Sequence, residues 1–281
     1  MKFKNWLFYA ISRLSDSLTK TPRLDSEILL MFITKKTKSY ILSFDETILK
    51  KKHFIYLEEL LYRRENGEPI AYIIGKKEFW SLKLKVSKKI LIPRPDTELL
   101  VTRALDIIPP CKANILDLGT GSGAISLALA YERPMWNITG VDIISDAIYI
   151  SIINAKNLGI NNVNFYKSNW FKNLNIKYYN LIISNPPYLK LNYNYFKKKD
   201  IKFEPKKSLI SKLKGFKDLI KICLNANRYL INNGWLLIEH GYNQGKTVRT
   251  LLKKANFNKI KTFCDYGHNE RISQGKFKYK I

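Results

Sequence analysis

Asn185-Pro186-Pro187-Tyr188 closes the apolar run Leu181-Ile182-Ile183-Ser184 and has the residue types to act on a planar amine. Each proline fixes φ and carries no N–H, so the loop offers carbonyl acceptors with few competing donors. A residue before proline is driven into an extended conformation, which sets the direction in which Asn185 leaves its strand. Tyr188 adds a flat face beside the acceptors. A conjugated –NH2 group matches this set: two acceptors for its two N–H bonds, and an aromatic surface for its plane. Alone, the four residues read more readily as an ordinary loop with a proline stop, and the stretch upstream overturns that reading.

That stretch is Asp117-Leu118-Gly119-Thr120-Gly121-Ser122-Gly123, placed directly after the short apolar strand Ile115-Leu116 and before an apolar helix over 124–130. Alternate glycines let the backbone turn tightly and approach a ligand closely. The spacing differs from the dinucleotide pattern, whose last two glycines are three apart, and suits a loop that does not wrap a pyrophosphate. The next strand, 137–141, ends in Asp142, nineteen residues beyond Gly123. A carboxylate there can accept hydrogen bonds from both hydroxyls of a ribose.

These residues need elements to position them. Further strands are expected over 163–166, 181–184 and 235–239, alternating with helices, which predicts an α/β fold with a mostly parallel sheet covered on both faces. Ligands in such sheets bind beyond the carboxyl ends of the strands. The glycine loop, Asp142, Ser168-Asn169-Trp170 and Asn185 all fall at such ends and should converge on one pocket. Residues 1–75 read as a small helical bundle. Trp6, Leu7, Ala10, Ile11 and Leu14 recur at helical spacing, Asp25-Ser26-Glu27 is expected to open a second helix over 28–33, and Phe54, Leu57, Leu60 and Leu61 mark a third that Gly67 ends. His53, among lysines, reads as a surface residue. From 76 to 96 the pattern alternates through Phe79, Trp80, Leu82, Leu84 and Val86, as in a β-hairpin linker, and Asp96-Thr97-Glu98 is expected to cap a helix over 99–107. The expected domains are 1–75, 76–96 and 97–281.

With 281 residues, 46% hydrophobic and 13% aromatic, the chain is globular and long enough for about two domains. No apolar run reaches the roughly 20 residues that cross a bilayer, and the N-terminus reads as an amphipathic helix rather than a signal peptide. Cys111, Cys223 and Cys264 are scattered and never form Cys-x-x-Cys, which argues against a disulfide framework or a zinc site and fits a reducing cytoplasm. The net charge of +26 permits a nucleic-acid partner without indicating one, because lysine is spread evenly along the chain.

Together the two motifs resemble the class I S-adenosylmethionine methyltransferases, Rossmann-like enzymes, and the Asn-Pro-Pro-Tyr loop resembles that of enzymes methylating a planar nitrogen. Nearly end to end the chain is similar to the release factor glutamine methyltransferases (the PrmC or HemK family). The likeness runs through Pro22-Arg23-Leu24-Asp25-Ser26-Glu27, Gly67-Glu68-Pro69-Ile70-Ala71-Tyr72, Glu78-Phe79-Trp80 and Ile92-Pro93-Arg94-Pro95-Asp96-Thr97-Glu98. It continues in Phe203-Glu204-Pro205, Glu239-His240-Gly241 and Asp265-Tyr266-Gly267-His268-Asn269-Glu270-Arg271.

The resemblance implies methylation of the side-chain amide nitrogen of the glutamine in the Gly-Gly-Gln motif of bacterial release factors 1 and 2. By it, Gly119, Thr120, Gly121, Ser122, Gly123 and Asp142 hold the methyl donor S-adenosylmethionine, with Asn185 touching it and Trp170 on its adenine. Asn185, Pro186, Pro187 and Tyr188 hold the glutamine, and Asn185, Pro186 and Tyr188 carry the catalysis. No metal, membrane or direct nucleic-acid contact is implied. Two positions depart from the family pattern: Asn169 replaces the usual aspartate, and Lys202 stands where arginine is common. The rival reading is a methyltransferase of exocyclic base amines in DNA or RNA, with the base flipped onto Tyr188. His240 and Glu239 read as structural residues at the end of a buried strand, and 190–217 as a solvated, lysine-rich loop and candidate docking surface.

Overall fold

A computed structural model describes residues 1–17, 19–172, 174, 179–191 and 201–279. The chain forms two compact units, one built mainly from Met1–Lys76 and the other from Lys77–Leu191 with Glu204–Ile281.

The first unit contains helices α1 (Phe3–Ser15), α2 (Pro22–Thr34), α3 (Lys38–Ser43), α4 (Lys51–Glu65) and α5 (Ile70–Ile74). Trp6, Ala10 and Leu14 form the buried stripe of α1 and share one core with Leu29, Leu30, Ile41, Leu57 and Leu61. Each such fully buried aliphatic side chain contributes roughly 1.5–3 kcal/mol. Asp25-Ser26-Glu27 does not open α2 as expected. The helix starts at Pro22, whose fixed φ suits a first helical position, and the three polar residues lie buried inside it. Asp25 takes an ion pair from Arg64 Nε at 2.7 Å and Glu27 one from Lys38 at 2.8 Å.

In the second unit β1 (Lys76–Phe79) and β2 (Leu82–Lys85) form a two-stranded sheet. Trp80 and Ser81 turn between them with φ of 51° and 59°, the two positive values of a type I′ hairpin. Phe79, Leu82 and Leu84 pack into the core of this unit. Helix α6 (Glu98–Ile107) follows a 3₁₀ turn over Pro95–Thr97. Then come β3 (Ala113–Leu118), α7 (Ala124–Glu132), β4 (Trp136–Asp142), α8 (Ser145–Leu158), β5 (Val163–Lys167) and β6 (Tyr179–Ser184). The chain ends through α9 (Lys206–Leu209), α10 (Lys217–Asn225), β7 (Leu230–Glu239), α11 (Gly245–Lys254), β8 (Phe257–Cys264) and β9 (Glu270–Phe277).

Seven strands form one sheet in the order β5-β4-β3-β6-β7-β9-β8. The first five are mutually parallel, while β9 runs antiparallel to β7 and to β8. The α/β class and mostly parallel sheet match the expectation; the pair β8 and β9 was not anticipated. Period-two alternation sends Ile115, Leu181, Ile183 and Leu237 to a core on one face, with α6 and α7. Leu116, Ile182, Leu236 and Ile238 go to the other, with α10 and α11. Strand order reverses between β3 and β6, which opens a crevice at their carboxyl ends. No helix among the described residues is long and apolar enough to cross a membrane.

Candidate active site

Leu118 and Ser184 are register partners at the ends of β3 and β6, and Ser184 Oγ donates to Leu118 O at 2.7 Å. The next residues are Gly119 and Asn185, so the two motifs leave the sheet side by side. A Cβ at Gly119 would stand 3.4 Å from the Trp170 ring and 4.0 Å from the Asn185 carbonyl. Gly119, with φ +77°, therefore lets the loop pass between them. The loop is tied to the neighbouring strand by Gly119 N and Thr120 N, which both donate to Val141 O.

Beneath it Asp117 is fully buried and accepts from Thr120 Oγ1 at 2.7 Å and Ser126 Oγ at 2.6 Å. Burial pushes its carboxyl up to about 6 against those hydrogen bonds. Asp142 ends β4 and holds the loop from the other side. Its Oδ2 accepts from Gly121 N at 3.0 Å and its Oδ1 from Ile144 N at 2.9 Å. Burial raises its pKa too. The carboxylate has about four acceptor sites, so beyond its backbone donors it keeps capacity for a ligand hydroxyl.

A cavity of about 350 Å³ opens here, within the usual size of small-ligand pockets. Gly119, Gly121, Asp142, Ile143, Asn169, Trp170, Asn185 and Pro187 line it, as do Lys207, Lys212 and Lys217. Of the residues singled out from the sequence, Thr120 and Ser122 are buried under the loop, Gly123 with φ +82° opens α7, and Pro186 and Tyr188 are off the cavity wall.

Behind the Asn-Pro-Pro-Tyr loop lies a buried polar chain. Asn185 Nδ2 donates to Thr97 Oγ1 at 3.0 Å, and Thr97 Oγ1 donates to Glu239 Oε2 at 2.8 Å. Tyr188 OH donates to Glu239 Oε1 at 3.1 Å. Thr97 makes no side-chain cap to α6, contrary to the expectation for Asp96-Thr97-Glu98; its hydroxyl is committed to Glu239 instead. Glu239 is 2% exposed, and burial pushes its carboxyl up to about 7. Burial and the nearby Glu239 charge raise the Tyr188 phenol, so it stays protonated and donates. Arg271 faces both and is held by Asp265, at 2.8 Å from Nη2 to Oδ2.

The backbone of the loop is anchored as well. Gln244 Nε2 donates to Tyr188 O at 3.0 Å. Leu189 N donates to Leu209 O, and Ser211 N returns a bond to Leu189 O at 3.0 Å. Gly215, with φ +96°, lies so close that a Cβ there would stand 2.3 Å from Tyr188 O. Of the lysine-rich segment, 192–200 lies outside the described residues. The rest is not simply solvated: Glu204, Leu209, Ser211 and Gly215 are buried, and Glu204 pairs with Arg94. Two of the resembling stretches, Pro93-Arg94-Pro95 and Phe203-Glu204-Pro205, thus meet.

Trp170 adopts φ +54°, and its indole Nε1 donates to Asp218 Oδ1 at 3.1 Å. The neighbouring Asn169 is exposed, and its Oδ1 accepts from Lys221 Nζ at 3.1 Å, which occupies one of the two lone pairs available to a ligand amine. His240 is fully buried. Its Nδ1 lies 2.9 Å from Gly241 O and its Nε2 2.9 Å from Ser273 Oγ. The carbonyl requires a proton on Nδ1, leaving Nε2 to accept from Ser273, and burial lowers the pKa. A neutral histidine with both nitrogens engaged has a structural role here. Thr97 and Asp218 were not singled out as site residues from the sequence. Their roles depend on partners distant in the chain, so no local spacing could have disclosed them.

Residues 111–280 match the family described as Methyltransferase domain, and residues 5–75 match the PrmC N-terminal domain. A release factor glutamine methyltransferase from Buchnera aphidicola subsp. Acyrthosiphon pisum is 50% identical over 98% of this chain and 99% of its own. The protein of that description from Salmonella typhimurium is 46% identical over 99% of each. Among solved structures, a methyltransferase from Pyrococcus furiosus superposes with a TM-score of 0.55 at 16% identity, covering 79% of this chain and 100% of its own. The hMettl16 catalytic domain in complex with MAT2A 3′UTR hairpin 6 superposes at 0.59 with 14% identity, covering 83% and 84%. These two likenesses are of fold.

Proposed function

Because the chain belongs to the family of release factor glutamine methyltransferases, we propose that it methylates the side-chain amide nitrogen (N5) of the glutamine in the Gly-Gly-Gln motif of release factors 1 and 2, with S-adenosylmethionine as donor. One observation carries this reading. Asn185, proposed to bind the amide, and Asp142, proposed to bind the ribose, line the same cavity.

The residues present suit the donor. Gly119 and Gly121, both at positive φ, keep side chains out of its path, Asp142 keeps acceptor capacity for a ribose hydroxyl, and Trp170 and Ile143 supply apolar walls. When bound, the donor supplies an electrophilic sulfonium methyl group. The chain's task is to orient a poor nucleophile. An amide nitrogen shares its lone pair with its carbonyl, so it must be held with one face toward the methyl. Asn185 Oδ1, from a residue on the cavity wall, accepts one of its N–H bonds and orients that face. It also stabilises the positive charge that develops on nitrogen as the new N–C bond forms and the sulfonium S–C bond breaks. The methylated nitrogen is then acidic and loses one proton to solvent, so no general base is needed beforehand. Tyr188 closes the loop from behind. The helical unit, 1–75, recognises the release factor, and 97–281, joined to it through 76–96, performs the transfer.

The test is transfer of labelled methyl from the donor to purified release factor, intact or with its glutamine replaced. Label on the intact protein alone is expected. Label on both refutes the glutamine as the site, and label on neither refutes the release factor as the substrate.

A further inference from the structure

In the polar chain behind the Asn-Pro-Pro-Tyr loop, the hydrogen-bond directions can be deduced one from another.

Asn185 has two faces, a carbonyl and an –NH2. If the –NH2 faced the substrate, it would present donors to a group whose own N–H bonds need acceptors. The loop itself does not choose between these orientations. The chain behind it does. An ionised carboxylate only accepts, so the single hydroxyl proton of Thr97 must point to Glu239 Oε2, 2.8 Å away. With that proton committed, Thr97 Oγ1 can only accept from Asn185. The atom 3.0 Å from it is therefore Nδ2. Asn185 Oδ1 is left with no hydrogen bond among the described residues. We propose that Thr97 and Glu239 are positioning residues for methyl transfer: their hydrogen-bond relay turns the Asn185 carbonyl toward the substrate amide. The inference rests on the function proposed above, and neither residue touches substrate.

A relay of this kind has a polarity, and one proton reverses it. A protonated Glu239 can donate to Thr97 Oγ1. The Thr97 hydroxyl then points at Asn185, which flips to meet it with Oδ1 and shows its donors to the substrate. The charged and titratable groups facing Glu239 are Asp96 from the turn before α6, Tyr188 from the loop after β6, and Arg271 from β9, beside the neutral Thr97 hydroxyl. Arg271 favours the ionised form, while Asp96 and burial oppose it. With a midpoint pushed up to about 7, the active polarity dominates above neutrality and fades below it.

Two measurements on the full chain decide the matter. The first needs no substrate. The side-chain 1H–15N signal of Asn185, assigned by its loss in Asn185→Ala, should titrate with a midpoint near 7 in the wild type and remain unchanged with pH in Glu239→Gln. The second is transfer at saturating donor and release factor. The wild-type kcat should fall about tenfold between pH 8 and pH 6, the change in ionised fraction across that midpoint, and Glu239→Gln should lose most of this dependence. Thr97→Val should lower kcat by at least about tenfold with donor Kd unchanged, and Thr97→Ser, which keeps the hydroxyl, should restore it. An Asn185 signal that ignores Glu239→Gln, or an acid limb that survives it, overturns the relay. So does a Thr97→Val enzyme of wild-type kcat, and if that variant does not fold, the Glu239→Gln profile decides alone. Should the wild type fail to methylate release factors at all, the proposed substrate falls while the titration still reads the relay.

Discussion

The indole Nε1 of Trp170 donates to Asp218 Oδ1 at 3.1 Å, and through that carboxylate the floor of the cavity is joined to the loop above it. Asp218 Oδ2 accepts from Ser211 Oγ at 2.6 Å, and Ser211 N donates to Leu189 O, one residue beyond Tyr188. Hydrogen bonds to charged groups contribute about 1.5–3 kcal/mol. Asp218→Ala should release both the indole and Ser211, weakening donor binding by roughly tenfold, the low end of that range. Equilibrium titration of the donor reads this directly. Unchanged affinity would mean that Trp170 is held by packing alone.

Asn185→Ala separates orientation from donor binding. Gly119, Gly121 and Asp142 remain in place, so donor affinity should change less than about twofold. Loss of one preorganised hydrogen-bonding group costs on the order of 10²–10³ in rate, and kcat for release factor should drop by that much. Single-turnover transfer and donor titration on the same preparation provide the comparison. Equal losses in both would contradict the assigned role.

The glycine loop, Asp142 and the Asn-Pro-Pro-Tyr loop could be placed on strand ends from sequence because each motif sits directly after an apolar run, and strand ends in a parallel sheet converge. The strands β8 and β9 were not legible in the same way. β8 reads Phe-Asn-Lys-Ile-Lys-Thr-Phe-Cys, an edge strand whose lysines protect it from pairing further and hide its alternation. The link between Thr97 and Glu239 spans 142 positions, and a threonine before a helix reads locally as a cap. Asp25 misled for a similar reason. An acid near a helix start suggests a cap, whereas its partner Arg64, 39 positions away, takes it into the core.

That pair supplies a stability test. Asp25 and Arg64 are 3% and 6% exposed and bonded at 2.7 Å. Removing one partner strands the other charge in the interior, which costs about 3–5 kcal/mol. Asp25→Ala should therefore lower the urea midpoint of the helical transition followed by circular dichroism. Replacing both, with Asp25→Leu and Arg64→Met, should recover most of the loss, because an apolar pair of similar volume needs no compensation. A double variant as unstable as the single one would show that the ion pair contributes more than mutual compensation.

Glu239 sets activity and stability against each other. Its folded pKa, about 7, lies above the ordinary 4.5 of a glutamate, so the folded protein holds this proton more tightly than the unfolded chain. The resulting stabilisation is complete below about 4.5 and is lost as pH rises through about 7. Its size is on the order of 3 kcal/mol. Asp117 behaves likewise, with a folded value of about 6. The net charge of +26 destabilises the compact state through repulsion, but subtraction of a variant with the same partners largely removes that background. The stability of Glu239→Gln relative to wild type should therefore rise with pH between 4.5 and 7.5 and then level off. Urea unfolding at half-unit pH steps measures the difference. A flat difference would place Glu239 at its ordinary acidity, and the enzyme would then be indifferent to pH near neutrality. The rising curve instead means that the ionised form needed to orient Asn185 is maintained at a cost to the fold.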